Sequence, residues 1–214
     1  MNIIRHIEFL DPNKHNKLIN IIGVGAVGSH VATFIARLGF QHVMLWDFDK
    51  VGDHNIPNQS FRQQDIGKSK TSAVAEQMKE INPEINLMIG GKWEGQKLQG
   101  YVFVCPDDIK VRKDIYETMI YDNNIIAVFD TRIGLETAQL ISANWSNDDE
   151  REMMIELSSF EKEEVEPENV SACGSKMTVL PTVLTVSNLA ITNFINFLKT
   201  NKLKNMIQVN AFNI

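Results

Sequence analysis

Residues 19 to 50 constrain this chain more than any other stretch. The apolar run Ile19-Asn20-Ile21-Ile22 feeds Gly23-Val24-Gly25-Ala26-Val27-Gly28-Ser29, and Val27, Val31, Phe34, Ile35 and Leu38 follow at helical spacing. A second apolar run, Val43 to Trp46, ends in Asp47-Phe48-Asp49. This order predicts strand, turn, helix, strand. In such a unit Gly23 permits the tight turn, Gly25 lets backbone approach a phosphate and Gly28 lets the helix pack closely on the strand. The free N–H groups of the helix start face an anion, and an acid closing the second strand is placed for a ribose hydroxyl. A nucleotide is therefore the expected ligand, held by an α/β, Rossmann-like fold with a mostly parallel sheet and helices on both faces.

The remaining elements follow the same pattern. Residues 1 to 18 read as an irregular arm or short helix outside the sheet, and Val51 to Phe61 as a polar loop beside the nucleotide. A helix is predicted from Ser69 to Ile81, with Val74, Met78 and Ile81 on one face and Asn82-Pro83 ending it. Lys70 lies in its first turn, where the helix dipole disfavours a cation, so an anionic partner is expected. Ile85 to Ile89, Tyr101 to Val104, Ile125 to Phe129 and Gln139 to Ala143 read as strands, with a helix through Val111, Ile115 and Met119. Acids stand at strand ends at Asp107 and Asp130, on the side of the sheet where ligands bind in open α/β folds.

Further on, the segment from 146 to 174 opens with acidic clusters such as Asp148-Asp149-Glu150 and Glu161-Lys162-Glu163-Glu164, and reads as a mobile or extended crossing segment rather than a domain. Pro181 to Leu198 is apolar nearly all round, as an enclosed helix is, and Ile207 to Phe212 reads as an edge strand. Additional antiparallel edge strands are expected in this C-terminal part, within a single domain over residues 1–214.

Composition removes several function classes. At 214 residues the chain suits one large domain, and a net charge of -6 with no basic stripe argues against nucleic acid as a partner. Cys105 and Cys173 are far apart and lack CxxC spacing, so neither a disulfide framework nor a structural zinc site is indicated. The N-terminus lacks the apolar core of a signal peptide, and no apolar run reaches membrane-spanning length. A cytoplasmic, reducing setting is expected, with no membrane partner.

Taken together, several residues resemble one family. Gly23-x-Gly25-x-x-Gly28-Ser29, Asp47-x-Asp49 with Val51, Asn55, Gln59, Gly67-x-x-Lys70 and Ile81-Asn82-Pro83 occur in the order found in the ThiF/MoeB/HesA superfamily, which includes the ubiquitin-activating enzymes. Arg5-His6-Ile7 looks like the family's N-terminal Arg-Gln-Ile, and Asp107 followed by Arg112 looks like its aspartate and helix-borne arginine. The match runs from Arg5 to Arg112, about half of the chain.

The resemblance implies a ThiF-like ATP-binding domain that adenylylates a carboxylate, typically the C-terminus of a ubiquitin-like protein or peptide. Carried over by position, Asp47 binds the ribose, and Asn55 and Lys70 hold the phosphates beside Gln59 and the glycine turn. Asp107, with Asp49 assisting, coordinates Mg²⁺ through hard oxygen ligands. Arg5 matches an arginine finger that reaches into the partner's site across a homodimer. Cys173, in Ser171-Ala172-Cys173-Gly174-Ser175, falls where family members place a thiol that takes the acyl group from AMP.

One departure concerns the phosphate site. The family's Asn-Leu-Asn-Arg-Gln reads Asn55-Ile56-Pro57-Asn58-Gln59 here, so a neutral amide replaces the phosphate-binding arginine, and Arg62 is the nearest substitute. Two competing readings therefore stay open. One is a catalytically weak relative that acts as a partner-binding scaffold; the other is an NAD-dependent oxidoreductase using the same glycine turn.

Overall fold

The computed structural model describes residues 1–159 and 177–213. Its sheet has seven strands: β1 (Ile19–Ile22), β2 (His42–Trp46), β3 (Asn86–Gly90), β4 (Gly100–Val104), β5 (Ile125–Ile133), β6 (Thr137–Asn144) and β7 (Met206–Asn210). They lie in the order β3-β2-β1-β4-β5-β6-β7. β1 to β5 pair in parallel, whereas β5 with β6 and β6 with β7 pair antiparallel. The chain turns left from β1 to β2 and right from β1 to β4, so the crevice beyond the ends of β1 and β4 is a topological switch point.

Among the described residues five helices cover the sheet: α1 (Ala26–Leu38), α2 (Lys70–Ile81), α3 (Ile109–Met119), α4 (Asp148–Ser159) and α5 (Leu180–Thr200). Alternation along the strands feeds two separate cores. Ile19, Ile21, Tyr101, Phe103 and Phe129 pack under α1, α2 and α5, while Val102, Val104, Val128 and Ile141 pack with Ile115 and Tyr116 of α3 and Met154 of α4. The centre of the first core is Phe194 on α5. Its ring lies 4.9 to 5.5 Å from those of Phe40, Tyr101, Phe103 and Phe129, within the range in which aromatic pairs add to simple burial. No helix among the described residues is long and apolar enough to cross a membrane.

The extended conformation read for the acidic segment does not hold over Asp148–Ser159, which is α4. Tertiary burial outweighs its acidic composition, because Met154 is fully enclosed in the second core. The end of the strand before it is also tied down, since Glu150 accepts from the Asn144 N–H at 2.8 Å and from Asn205 at 2.9 Å. Residues 160–174 of that segment, Cys173 included, lie outside the described residues.

Backbone contact fixes the switch point itself. Gly23 has φ +84°, and a Cβ there would lie 2.7 Å from the Pro106 nitrogen. At Gly28 a Cβ would lie 1.9 Å from the Gly23 carbonyl oxygen, so α1 reaches this strand only through a glycine. Cys105 lies below, and burial pushes its thiol up to about 11.

Two outcomes are expected. Met154→Ala destabilises the protein by about 2 to 5 kcal/mol in urea unfolding, the range for truncating an enclosed methionine; a change of a few tenths would mean that α4 does not pack as described. Cys105 in the folded protein resists iodoacetamide at pH 8, as followed by site-resolved mass spectrometry, and reacts in denaturant.

Candidate nucleotide and carboxylate site

The carboxyl ends of β1, β2, β3 and β4 open onto a cleft of about 710 Å³. Gly23, Asp47, Asp49 and Asp107 all line it, so one site brings together the glycine turn and both aspartate pairs. Above Gly23 the chain enters α1 without a side-chain cap at Gly25, and a Cβ on Gly25 would meet nothing within 4 Å. The first N–H groups of α1 have no intrahelical acceptor and start in open space, an arrangement that suits an anion.

Asp47 holds this corner together. One carboxylate oxygen accepts the Val24 N–H at 2.7 Å and the other accepts the Asp49 N–H at 2.8 Å. The glycine turn is thereby clamped to the end of β2. The predicted anionic partner of Lys70 is protein: its ammonium donates to Asp49 at 2.7 Å, and its backbone N–H donates to the Asp49 carbonyl at 2.9 Å. Lys70 is buried and Asp49 is half-exposed, so the lysine stands one ion pair away from the cleft.

The other sequence-picked residues take different positions. Asn55 is buried in a short 3-10 turn (Asp53–Asn55), where its side-chain oxygen accepts the Gly52 N–H at 2.8 Å. Neither Asn55 nor Gln59 lines the cleft. Asn58 donates from its side chain to Thr178, at the entrance to α5, and its carbonyl lies 3.3 Å from Nε2 of His30. Burial lowers the pKa of that imidazole, with the Asn58 hydrogen bond acting against it. The side-chain oxygens of Asn58 and Gln59 are buried and have no hydrogen-bond partner among the described residues.

Arg62 does not curl back to replace the missing guanidinium. It donates to Asp65 at 3.1 Å and to Glu80 at 2.9 Å, because the fully buried Asp65 requires compensating charge. Burial alone would push Asp65 up, yet hydrogen bonds from Arg62 and Lys68 carry it below the ordinary carboxylate range. Arg5 is exposed on the N-terminal arm. That arm packs at the other end of the sheet, where His6 meets the Leu38 carbonyl at the end of α1.

Several cleft residues escaped the sequence reading. Trp46, Phe48 and Trp93 supply an aromatic wall, and Lys92 lies 5.8 Å above the Phe48 ring. Trp46 rests on Gly90 of the neighbouring strand, where a Cβ would lie 2.3 Å from the indole. Pairing of Trp46 with Gly90 depends on strand register, which no local pattern around residue 93 reveals. Deeper in, Asp130 is fully buried against Arg112 and Arg132. Asp130 and Arg132 lie two apart on β5 and so share a face, a signal that the sequence does contain. Among the described residues seven carboxylates and two lysines line the cleft, an acidic excess.

The chain is similar to proteins of two kinds. Ubiquitin-like modifier-activating enzyme 5 of Dictyostelium discoideum is 35% identical over 85 residues, covering 40% of this chain and 21% of that protein. The Arabidopsis thaliana protein of the same name is 36% identical over 69 residues, covering 32% and 16%. The matches thus span about a fifth of these relatives' length. Among solved structures, E. coli MccB with succinimide superposes with a TM-score of 0.70 at 16% identity, over 95% of this chain and 63% of MccB. PaaA superposes with a TM-score of 0.68 at 15% identity, over 92% and 61%. Such identities speak for the fold alone. The model of the ThiF family matches residues 13–214, nearly the whole chain. This chain belongs to the ThiF family.

Proposed function

We propose that this chain activates a carboxylate with ATP, forming an acyl-adenylate and releasing pyrophosphate. The observation that carries the reading is the cleft at the switch point, where the glycine turn, Asp47, Asp49 and Asp107 share one wall and Lys70 stands one ion pair away. The ribose meets Asp47, and the aromatic wall of Trp46, Phe48 and Trp93 stacks against the base. The phosphates lie over the start of α1, with Lys70 released from Asp49 to meet them. Asn55 and Gln59 border that phosphate site from the loop after β2.

The chemistry needs no general base, because a carboxylate is already a nucleophile when it attacks the α-phosphorus. Positive charge where the pentavalent centre gains negative charge is the main requirement. The seven carboxylates and two lysines that line the cleft among the described residues repel a triphosphate, which favours a cation accompanying it. The oxygen donors of Asp49 and Asp107 suit Mg²⁺. Among the described residues no three His, Cys, Asp or Glu side chains cluster as a metal site, so Asp49 and Asp107 would hold the ion only together with the nucleotide. When bound, Mg²⁺ neutralises the phosphates and the developing charge.

The carboxylate is that of a ubiquitin-like protein or peptide C-terminus. Supporting this are the name of the similar ubiquitin-like modifier-activating enzymes, and the solved structures of MccB with ATP and with MccA. Arg5 serves from a second copy in a homodimer. Its support is the position of the arm at the far end of its own sheet, together with the exposed Ile4 and Phe9 beside it. Cys173 is the proposed acyl acceptor after adenylation. A scaffold role is the second reading, favoured by Asn58 being spent on Thr178 and Arg62 on Asp65 and Glu80.

ATP–pyrophosphate exchange with a candidate carboxylate partner is the test. Lys70→Ala is expected to lower exchange by about 100-fold or more, while its stability falls by about 1 kcal/mol or less, because Asp49 is half-exposed. Wild-type exchange in that variant would remove Lys70 from the site. Asp107→Asn is expected to raise the Mg²⁺ concentration needed for half-maximal exchange. Thermal stabilisation by NAD but not by Mg·ATP would sink adenylylation, and partner binding without exchange would favour the scaffold.

A further inference from the structure

We propose that Asp130, gripped by Arg112 and Arg132, is a positioning residue that sets the Pro106-Asp107 turn at the mouth of the cleft. The inference rests on the adenylylation reading for its consequence, though not for its geometry. Asp130 is fully buried on β5 beside the end of β4, in register with Val104. One of its oxygens pairs with Nη1 of Arg112, and the other accepts from Nε of Arg132 at 2.7 Å. Arg112 also donates through Nη2 to the Thr131 carbonyl at 2.9 Å and to the carbonyl of Pro106.

That last contact links the ion cluster to the site. Pro106 immediately precedes Asp107, and its other side is pressed against Gly23. The turn is therefore held from two directions, by the glycine bend on β1 and by a guanidinium anchored on Asp130 and on the Thr131 carbonyl. Arg112 and Arg132 converge on opposite oxygens of one carboxylate, which fixes its plane as well as its place. Asp107 is exposed on the cleft wall, and among the described residues no hydrogen bond holds its carboxylate. Its placement is inherited from the backbone beneath it. Asp108 then caps α3 by accepting from the Lys110 N–H at 2.8 Å, so the same turn sets the start of that helix.

A cluster that serves only folding would loosen β5 and α3 evenly when weakened. A positioning cluster acts first at the turn. The test compares Asp130→Asn, Arg132→Met and Arg132→Lys by hydrogen exchange and by ATP–pyrophosphate exchange, well below each variant's Tm. In Asp130→Asn the amides of Lys110 and Arg112, which donate to the side chain and the carbonyl of Asp108, are expected to exchange about tenfold faster or more, while those of β1 and α1 keep wild-type rates. Its kcat is expected to fall by about 100-fold, the scale of a misplaced catalytic group, with the KM for ATP within about threefold of wild type. Arg132→Met should behave likewise, and Arg132→Lys should recover most of the rate. If Asp130→Asn does not fold, the Arg132 pair decides the question.

Wild-type amide exchange at Lys110 and Arg112 in a folded Asp130→Asn or Arg132→Met variant would overturn the inference, as would an unchanged kcat. Equal losses in Arg132→Lys and Arg132→Met would do so too. If the wild-type protein shows no pyrophosphate exchange, the adenylylation reading fails by itself, and hydrogen exchange still judges the turn.

Discussion

A single backbone contact governs the rest of the structure: α1 meets the end of β1 at a distance that admits no side chain. A Cβ at Gly28 would lie 1.9 Å from the Gly23 oxygen, and one at Gly23 would lie 2.7 Å from Pro106. Three chain segments, the ends of β1 and β4 and the start of α1, therefore share one small volume. Close-packed backbone is stiff, so the crevice they form has fixed walls. Around it, the strands bury both faces under helices and leave their carboxyl ends free to carry polar groups.

Electrostatics in the cleft shows a division of labour. Acidic groups dominate the lining, while most nearby cations are engaged by carboxylates: Lys70 by Asp49, Arg62 and Lys68 by Asp65, Arg112 and Arg132 by Asp130. Buried ion pairs of this kind contribute little net stability relative to apolar packing, but breaking one is costly. They specify positions. Lys70 differs from the others because Asp49 is half-exposed, which leaves the lysine exchangeable toward an arriving anion.

Much of the fold was legible in the residues. The change from strand to helix periodicity around Gly23, the Ser69 cap before α2 and the apolar circumference of α5 each place an element within a residue or two of its observed bounds. α4 was not legible, because the acidic start Asp148-Asp149-Glu150 outweighs, in composition, the run of Met153, Met154, Ile155 and Leu157 that docks the helix on the second core. The aspartates were legible as strand-end acids, whereas the aromatic wall around Trp93 was hidden in a loop whose position depends on β2–β3 register.

The sequence alone determined the strand–turn–helix unit, the acids that close the strands and the family likeness of the first half, because these follow from local geometry and period. Only the tertiary structure decided which charges meet. Lys70 finds Asp49, Arg62 turns to the buried Asp65, and Asn58 is taken by Thr178, since the partner of a long polar side chain is set by whatever burial elsewhere must be compensated. Spacing along the chain carries no record of that competition, so the same residues read in order could not reveal which would face the cleft.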